Sequence, residues 1–373
     1  MHIAFAIYKF FPFGGLQRSF RIICEEAVSR GHQVTIYTTS WQGDKIKGAA
    51  LNILKVRGFS NHGKMQQFHK TLMRARRSDP QGILIGFNKM PDLDYYYGAD
   101  NSFIAASSKN HHPLFKLTLR YKVYSAFEEA VFGPDYSTRP MMVSSRQQLE
   151  YESIYKTPKD RFIMLPPGLA KDRTRPQQAQ EIRNQRRQQL GLTDQHFALL
   201  IVATKFGSRG LDRALASLGA LPADLKDNAR LLVIGSDDRS PYIKIAKDLK
   251  VTNQVLYLGE TAEVMEFMCA SDLLIHPAHP GAAGNVLLEA LICGLPILAT
   301  EICGYSSFIT DADCGRLIPD PFSQAEMNSL VEQLLDRSLL QTLQQNALRY
   351  AATQDFYSLG KAALDAIEQN AKQ

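Results

Sequence analysis

Short apolar runs alternate with amphipathic stretches along most of the chain. Near the start, the apolar runs at residues 3–8 and 34–38 flank residues 16–30, where apolar side chains recur every three or four positions. Unbroken apolar runs are typical of parallel strands buried on both faces, and the intervening spacing is typical of a helix. The chain therefore opens with a predicted strand–helix–strand unit.

The same alternation continues to the end of the sequence. Further strands are predicted at residues 51–56, 82–87, 140–143, 197–203, 231–235, 255–258, 272–276 and 296–299. Further helices are predicted at residues 63–77, 144–155, 211–218, 242–249, 262–269, 324–335 and 339–353, and residues 173–190 are expected to form a solvated helix. Strands that alternate with helices indicate α/β architecture, with parallel sheets covered by helices on both faces.

A rigid-then-flexible segment, Leu165-Pro166-Pro167-Gly168, interrupts this alternation and separates two strand–helix series. We therefore predict two Rossmann-like doubly wound domains that face a central cleft. The N-terminal domain covers residues 1–165, and the second domain covers residues 166–353. Residues 354–373 are expected to form a helix that folds back on the N-terminal domain.

Composition narrows the class of protein. The chain has 373 residues, of which 45% are hydrophobic and 21% charged, as expected for a globular protein. Its five cysteines form no CxxC pair, which favours reduced thiols in the cytosol over a disulfide or zinc framework. No apolar run approaches the roughly 20 residues of a membrane span, and residues 1–9 lack the features of a signal peptide. The net charge of +6 favours an acidic partner.

Residues 276–300 combine a strand end, a glycine-rich turn, a helix and a second strand. A helix that begins at this turn would offer the N–H groups of Gly284, Asn285 and Val286 to an anion. Within the helix, Glu289 is the only charged residue, and Gly294 occupies the position of a left-handed cap. Two interpretations of Glu289 remain open, because it can lie on a solvated face or accept hydrogen bonds from ligand hydroxyls such as those of a ribose.

Two other glycine-containing turns precede helices. Gly14-Gly15 follows the first strand, and residues 204–210 carry Lys205 and Arg209. Such turns can be simple connections with exposed cations, or they can hold a diphosphate between helix N-termini and positive side chains. The first turn lacks the GxGxxG pattern and no acidic residue ends the second strand, which disfavours a nicotinamide dinucleotide.

The first half contains a candidate acceptor residue and a basic, aromatic segment. Asp100 is expected at the carboxyl edge of the sheet, where it can serve the acceptor site or cap the next helix. Residues 103–132 interleave basic and aromatic side chains on an expected amphipathic helix. This pattern fits an anionic membrane surface or an ordinary core-facing helix, and the lack of a recognised motif argues against nucleic acid.

Several motifs together resemble the retaining nucleotide-sugar glycosyltransferases of family 4, which have the GT-B fold. The similarity is greatest to lipopolysaccharide core glucosyltransferases that add the first hexose to inner-core heptose. It covers nearly the whole chain. The motifs are residues 11–18 (FPFGGLQR), 86–91 (GFNKMP), 166–168 (PPG), 287–290 (LLEA) and 353–359 (TQDFYSL).

The resemblance implies a retaining hexosyltransferase that uses a UDP-hexose donor and an inner-core heptose acceptor. It also implies that the N-terminal domain binds the acceptor and that the second domain binds the nucleotide sugar. It would act at the cytoplasmic face of the inner membrane, with residues 103–132 attached to anionic lipids, and it would need no metal or other cofactor. The roles that the resemblance implies are donor binding by Gly14, Gly15, Arg173, Arg209, Asn285, Val286, Leu287 and Glu289, and catalysis by Asp100, Lys205 and Arg209.

Three positions depart from the family pattern. Gly281 stands where the pattern has a Glu that contacts the donor sugar, Ser208-Arg209 replaces Arg-Lys, and Ser19 replaces an Asp of close relatives. Arginine presents a planar fork instead of the point charge of lysine. These departures leave a second hypothesis open, a membrane-associated binding or scaffold protein with weakened turnover.

Overall fold

A computed structural model of the chain describes residues 1–12, 14–78, 82–110, 112–279 and 284–371. These residues form two units, each built around its own parallel sheet. Unit 1 comprises Met1–Ala170 and Phe356–Gln373, and unit 2 comprises Lys171–Asp355. The chain therefore leaves unit 1 once, forms all of unit 2, and returns.

The first unit has seven parallel strands in the order β3-β2-β1-β4-β5-β6-β7. Its elements before the return are β1 (His2–Ala6), α1 (Gly15–Ser29), β2 (Gln33–Thr38), β3 (Ala49–Ile53), α2 (Asn61–Ala75), β4 (Ile83–Gly86), β5 (Tyr95–Gly98), α3 (Phe103–Asn110), α4 (Leu119–Phe132), β6 (Arg139–Met142), α5 (Ser145–Tyr155) and β7 (Ile163–Met164). The order places β1 in the interior of the sheet, which explains its unbroken apolar sequence.

Both faces of this sheet are covered. Phe5 of β1 meets Phe20 of α1 on one face, with ring centroids 5.9 Å apart. The adjacent Ala4 and Ala6 belong to the core on the other face, together with Phe68 of α2. Because alternate residues of a strand point to opposite faces, two separate cores need every position from 3 to 6 of β1 to be apolar.

Unit 2 has six parallel strands in the order β10-β9-β8-β11-β12-β13. Its elements are α6 (Ala179–Gln189), β8 (Phe197–Val202), α7 (Leu211–Ala220), α8 (Ala223–Asn228), β9 (Ala229–Ile234), α9 (Ser240–Asp248), β10 (Val255–Gly259), α10 (Val264–Ala270), β11 (Leu273–His276), α11 (Asn285–Cys293), β12 (Ile297–Thr300), α12 (Ser307–Asp311), β13 (Gly315–Ile318), α13 (Gln324–Leu334) and α14 (Arg337–Ala351). The predicted α/β class with two doubly wound sheets is therefore confirmed.

The final helix, α15 (Leu359–Asn370), belongs to unit 1 and packs on α1. Unit 1 ends at Ala170, a few residues beyond the predicted boundary after residue 165. The reason is that the intervening residues are tied to the returning chain. Leu169 N donates a 2.7 Å hydrogen bond to Phe356 O, and Gly168 lies directly against Leu359.

Residues 103–132 do not form the single helix that their pattern predicted. They form α3, a 3-10 turn over Pro113–Leu117, and α4. A new helix begins at α4 because the hydroxyl of Thr118 caps it by accepting a hydrogen bond from Tyr121 N at 3.2 Å. His111 and the side chains of residues 109 and 110 lie outside the described part.

The structure also differs from the solvated helix that was predicted at residues 173–190. Only Ala179–Gln189 is helical, and this helix packs on α10. Arg187 is buried, and both Arg187 and Arg183 bind the buried carboxylate of Asp272, at 3.1 and 2.5 Å. An arginine-rich sequence predicts a solvated helix. Here Asp272, which is distant along the chain, forms ion pairs with two of these arginines.

Candidate functional site

The start of α11 has a backbone geometry that can bind an anion. Its N-cap, Gly284, has a φ of 87°, a conformation that favours glycine, and no side chain caps the helix. Leu287 N donates to Gly284 O at 2.8 Å. The N–H groups of Asn285 and Val286 come before this first bond, at the N-terminal end of the helix. The helix therefore presents backbone donors and the positive end of its dipole at one point. Its last residue is followed by Gly294 with a φ of 73°, which confirms the predicted left-handed cap.

Glu289 lies on the inner side of the same helix. The residue is only 4% exposed, so its interpretation as part of a solvated face is wrong. The Nε atom of Arg173 lies 3.8 Å from its Oε1 atom. A buried carboxylate needs charged or hydrogen-bonding partners, and Glu289 is one turn from the uncapped N-terminus of α11. The pair can accept and donate hydrogen bonds to a polar ligand there.

The turn after β8 carries the predicted cations, and it is attached to the segment after β11. His279 N donates a 3.0 Å hydrogen bond to Ser208 O. Gly210 has a φ of 76° and lies so close to Pro277 that an added Cβ would be 2.2 Å from Pro277 O. Only glycine permits this approach. The turn after β8 and residues 277–279 after β11 are therefore packed against each other at the carboxyl edge of the sheet.

The two cations of this turn have different surroundings. Lys205 has a side chain that is 76% exposed and lies 3.7 Å from the Asp237 carboxylate. Arg209 is half-buried, and burial lowers the pKa of its guanidinium. Because the ordinary pKa of arginine is far above neutral pH, the group stays charged. Ser208 is exposed and donates its hydroxyl to Lys205 O at 3.0 Å. Arg209 is therefore the better placed of the two to act in a desolvated site.

His276, at the end of β11, was missed by the sequence interpretation. It is 1% exposed, and neither ring nitrogen has a hydrogen-bond partner among the described residues. Burial and the nearby charge of Arg209 lower the pKa of His276 to about 3, so the ring is neutral at physiological pH. The available signal was a polar residue that ends an otherwise apolar strand at the carboxyl edge of the sheet.

In unit 1, the predicted glycine turn lies at the start of α1. Gly14 is its N-cap and Gly15 its first residue, and no side chain caps the helix. A Cβ at Gly14 would lie 1.9 Å from Gln17 Oε1 and 2.8 Å from Phe11 Cε2. Ser19 is buried and donates its hydroxyl to Gly15 O at 3.4 Å. The turn has the bare backbone that a donor-binding role requires, and Phe13 lies outside the described residues.

Asp100 follows β5 at the carboxyl edge of the unit 1 sheet. It does not cap α3, as one interpretation proposed. Instead, Phe103 N donates to the carboxylate of Glu128 at 2.7 Å, and Ala105 N donates to the hydroxyl of Ser102 at 3.2 Å. The Asp100 residue is exposed, yet desolvation and the charge of Glu128 raise the pKa of its carboxyl, against the opposing effect of Lys89. It remains a candidate for the acceptor site.

The predicted residues therefore divide between the units. Gly14, Gly15 and Asp100 belong to unit 1. The predicted residues in unit 2 are Arg173, Lys205, Arg209, Asn285, Val286, Leu287 and Glu289. Gly281 lies outside the described residues. Among those described, no three histidine, cysteine or carboxylate side chains are grouped to hold a metal, and no helix has the length and apolarity to cross a membrane.

Comparison with known proteins agrees with this architecture. Residues 182–354, all in unit 2, match the family described as glycosyl transferases group 1. The chain is 40% identical over 368 residues to the lipopolysaccharide glucosyltransferase WaaG of Escherichia coli (strain K12), covering 98% of both chains.

Two solved structures are also similar. A crystal structure of WaaG, described as a glycosyltransferase involved in lipopolysaccharide biosynthesis, has a TM-score of 0.91 and covers 98% of this chain and 99% of its own. HepE of Anabaena in complex with UDP has a TM-score of 0.73 at 16% identity, covers 99% of this chain and 100% of its own, and shows the shared fold. The similarity to WaaG extends over both units and confirms the GT-B class, so the chain belongs to the WaaG family of lipopolysaccharide glucosyltransferases, within the group 1 glycosyl transferases.

Proposed function

We propose that this protein transfers a hexose from a UDP-sugar to heptose of the lipopolysaccharide inner core, with retention of the anomeric configuration. The full-length similarity to WaaG supports this substrate class. The observation that carries the proposal is the buried carboxylate of Glu289, 3.8 Å from Arg173 and one turn from the uncapped start of α11. A buried carboxylate needs polar partners, and the hydroxyls of a ribose are of that kind.

The arrangement matches the two polar ends of a nucleoside diphosphate. The diphosphate binds at the N–H groups that begin α11, with the guanidinium of Arg209 as counter-charge. The ribose hydroxyls donate to Glu289. The carboxylate of Glu289 would distinguish a nucleotide from inorganic phosphate, because inorganic phosphate has no ribose hydroxyls to donate to it.

The reaction forms a bond between the acceptor hydroxyl oxygen and the anomeric carbon, on the face from which UDP departs. The bond between the anomeric carbon and the β-phosphate oxygen breaks, and the acceptor proton passes to that departing oxygen. The protein contributes positioning and stabilisation of the charge that develops on the diphosphate. Arg209 and the α11 N-terminus supply this stabilisation, so we propose that no metal is required.

We also propose that residues 103–132 attach unit 1 to anionic lipids at the cytoplasmic face of the inner membrane. Apolar and basic side chains share the exposed surface of the turn and of the start of α4. The exposed residues are Leu114, Lys116, Leu117, Leu119, Arg120 and Lys122. At a membrane interface, leucines insert into the apolar layer and neighbouring cations bind phosphate headgroups. This segment presents both kinds of side chain.

A single assay tests the proposal. Purified protein is incubated with UDP-glucose, UDP-galactose or a UDP-N-acetylhexosamine and a truncated core acceptor that ends in heptose, and the product is analysed by mass spectrometry. We expect a mass increase of one sugar with one of these donors, unchanged by EDTA. No transfer with any donor, by protein that still binds vesicles, would favour the scaffold hypothesis, which neither the structure nor the comparisons support.

A further inference from the structure

A single buried carboxylate in unit 1 joins three segments of the chain. Glu128 of α4 is 0% exposed. Its oxygens accept hydrogen bonds from Phe103 N at 2.7 Å and Ile104 N at 3.3 Å, the first N–H groups of α3, and from the hydroxyl of Ser102 at 2.7 Å. Lys89, in the loop after β4, donates to the same carboxylate at 2.6 Å. Glu128 therefore caps a helix to which it does not belong.

Lys89 continues the connection to the loop that carries Asp100. Its Nζ atom donates to Asn101 O at 2.9 Å and lies 5.1 Å from the ring centre of Tyr151. The hydroxyl of Tyr151 donates to Asp100 O at 2.8 Å. The backbone carbonyls of residues 100 and 101 and the hydroxyl of Ser102 are thus held by Tyr151, Lys89 and Glu128, respectively.

We propose that Glu128 is a positioning residue that couples the lipid-facing segment of residues 103–132 to the Asp100 loop. This inference rests on the proposed function, in which that segment attaches to anionic lipids. Glu128 lies on α4, the helix that begins with the exposed Leu119 and Arg120, and it also binds the first turn of α3. Lipid binding that orders α3 and α4 therefore orders the acceptor loop through the same carboxylate.

The charge of Glu128 is what this coupling requires. Its two oxygens accept from five donors in three segments of the chain: Lys89, the stretch from Ser102 to Ile104, and the hydroxyl of Tyr155 at 2.9 Å. A glutamine would replace one oxygen with a donor that faces other donors. Buried donors without an acceptor are costly, so the loop would separate from α4.

Glu128→Gln and its neighbour Glu129→Gln provide a matched pair, because Glu129 is exposed on the same helix. Amide hydrogen exchange of residues 100–106 is measured with and without vesicles that contain phosphatidylglycerol. In the wild-type protein and in Glu129→Gln we expect vesicles to slow this exchange by about tenfold or more. In Glu128→Gln we expect vesicle binding to persist and the slowing to be lost.

Equal slowing in Glu128→Gln and Glu129→Gln would overturn the proposal, as would vesicles that leave wild-type exchange at residues 100–106 unchanged. Unfolding in urea, followed by the fluorescence of Trp41 in unit 1, shows whether each variant is folded. If Glu128→Gln does not fold, Ser102→Ala, which removes one hydrogen bond to the carboxylate, is expected to lose part of the slowing, and full slowing in this variant would then overturn the proposal. Exchange does not depend on turnover, so failure of the transfer assay leaves this result independent.

Discussion

At the scale of single residues, Glu289 provides the sharpest test of the donor site. The Glu289→Ala variant removes the buried acceptor of the ribose hydroxyls, so we expect UDP to bind about 10- to 100-fold more weakly. Isothermal titration calorimetry measures the change. The matched control is Glu332→Ala on α13, an exposed carboxylate that should leave the affinity unchanged. Equal affinity of wild-type protein and Glu289→Ala would remove Glu289 from the site.

Arg209 and Lys205 allow a comparison within one turn. Arg209 is half-buried, whereas the Lys205 side chain is 76% exposed and lies near Asp237. A charge in a desolvated site stabilises a departing diphosphate far more than a solvated one. We expect Arg209→Ala to lower kcat by about 10²–10³-fold. Lys205→Ala should lower kcat by less than about fivefold. Steady-state kinetics with the preferred donor decide, and the reverse ranking would show that Lys205 faces the phosphate.

His276 predicts a pH dependence of stability in unit 2. Its pKa is about 3 in the folded protein, against an ordinary value of 6.5. The unfolded chain therefore binds a proton between these values that the folded chain does not. The stability contribution is complete above pH 6.5 and decreases as the pH falls toward 3. At pH 5 the loss from this group is about 2 kcal/mol.

The comparison of wild-type protein with His276→Phe isolates this group from the other titrating residues. Hydrogen exchange of the β11 and β12 amides, corrected for intrinsic rates, gives the free energy of opening at pH 5 and pH 7.5. We expect the difference between the two pH values to be smaller in the variant. If the two proteins lose the same stability on acidification, the ring is already protonated or solvated in the folded state.

At the scale of elements, α15 is an essential part of the unit 1 core. Leu359, Ala363, Leu364 and Ile367 are buried in the same core as Phe5. At the surface of this contact, Arg30 of α1 binds Asp365 at 2.8 Å and Glu368 at 3.1 Å. The apolar face supplies most of the stability, since partly exposed ion pairs contribute little.

The contribution of α15 is measurable with one substitution. Leu364→Ala leaves a cavity in the core, and we expect it to destabilise unit 1 by about 2–4 kcal/mol. Trp41, the only tryptophan of the chain, stacks on Phe10 in unit 1, so its fluorescence in urea reports on this unit. Lys361→Ala on the exposed side of α15 is the control, with an expected change below about 0.5 kcal/mol. Similar effects of both substitutions would show that α15 is only loosely docked.

At the scale of the whole molecule, the two units differ in how the chain builds them. Unit 2 is one continuous segment, whereas unit 1 needs the returning residues from Phe356 onward. Each unit has its own sheet and its own buried cores. The predicted donor residues Arg173, Arg209 and Glu289 all belong to unit 2, so the continuous segment carries these parts of the proposed nucleotide site.

This organisation predicts different behaviour for two fragments. The fragment 171–355 should fold and bind UDP, because Arg173, Arg209 and Glu289 all belong to it. The fragment 1–170 should fail to fold, because it lacks the α15 face of its core. Circular dichroism and calorimetry test both statements. A folded 1–170 fragment, or a folded 171–355 fragment without affinity for UDP, would contradict this description.

Much of the fold and the family could be predicted from sequence, since the signals are local. Apolar runs specify buried parallel strands, Gly294 specifies the left-handed cap of α11, and motifs such as FPFGGLQR identify the family. These features depend on residues that are neighbours along the chain. The α/β class and the family membership are accordingly confirmed, whereas the roles of the individual site residues stay predictions.

Burial, by contrast, was decided by the tertiary structure alone. Sequence left Glu289 between a solvated face and a binding site, treated the arginines of α6 as solvated, and offered Asp100 as a helix cap. Packing buries Glu289, brings Asp272 to the α6 arginines, and gives the cap of α3 to Glu128. The solvation of a charged side chain depends on which distant segments surround it. The spacing of apolar residues along the chain does not predict which segments these are.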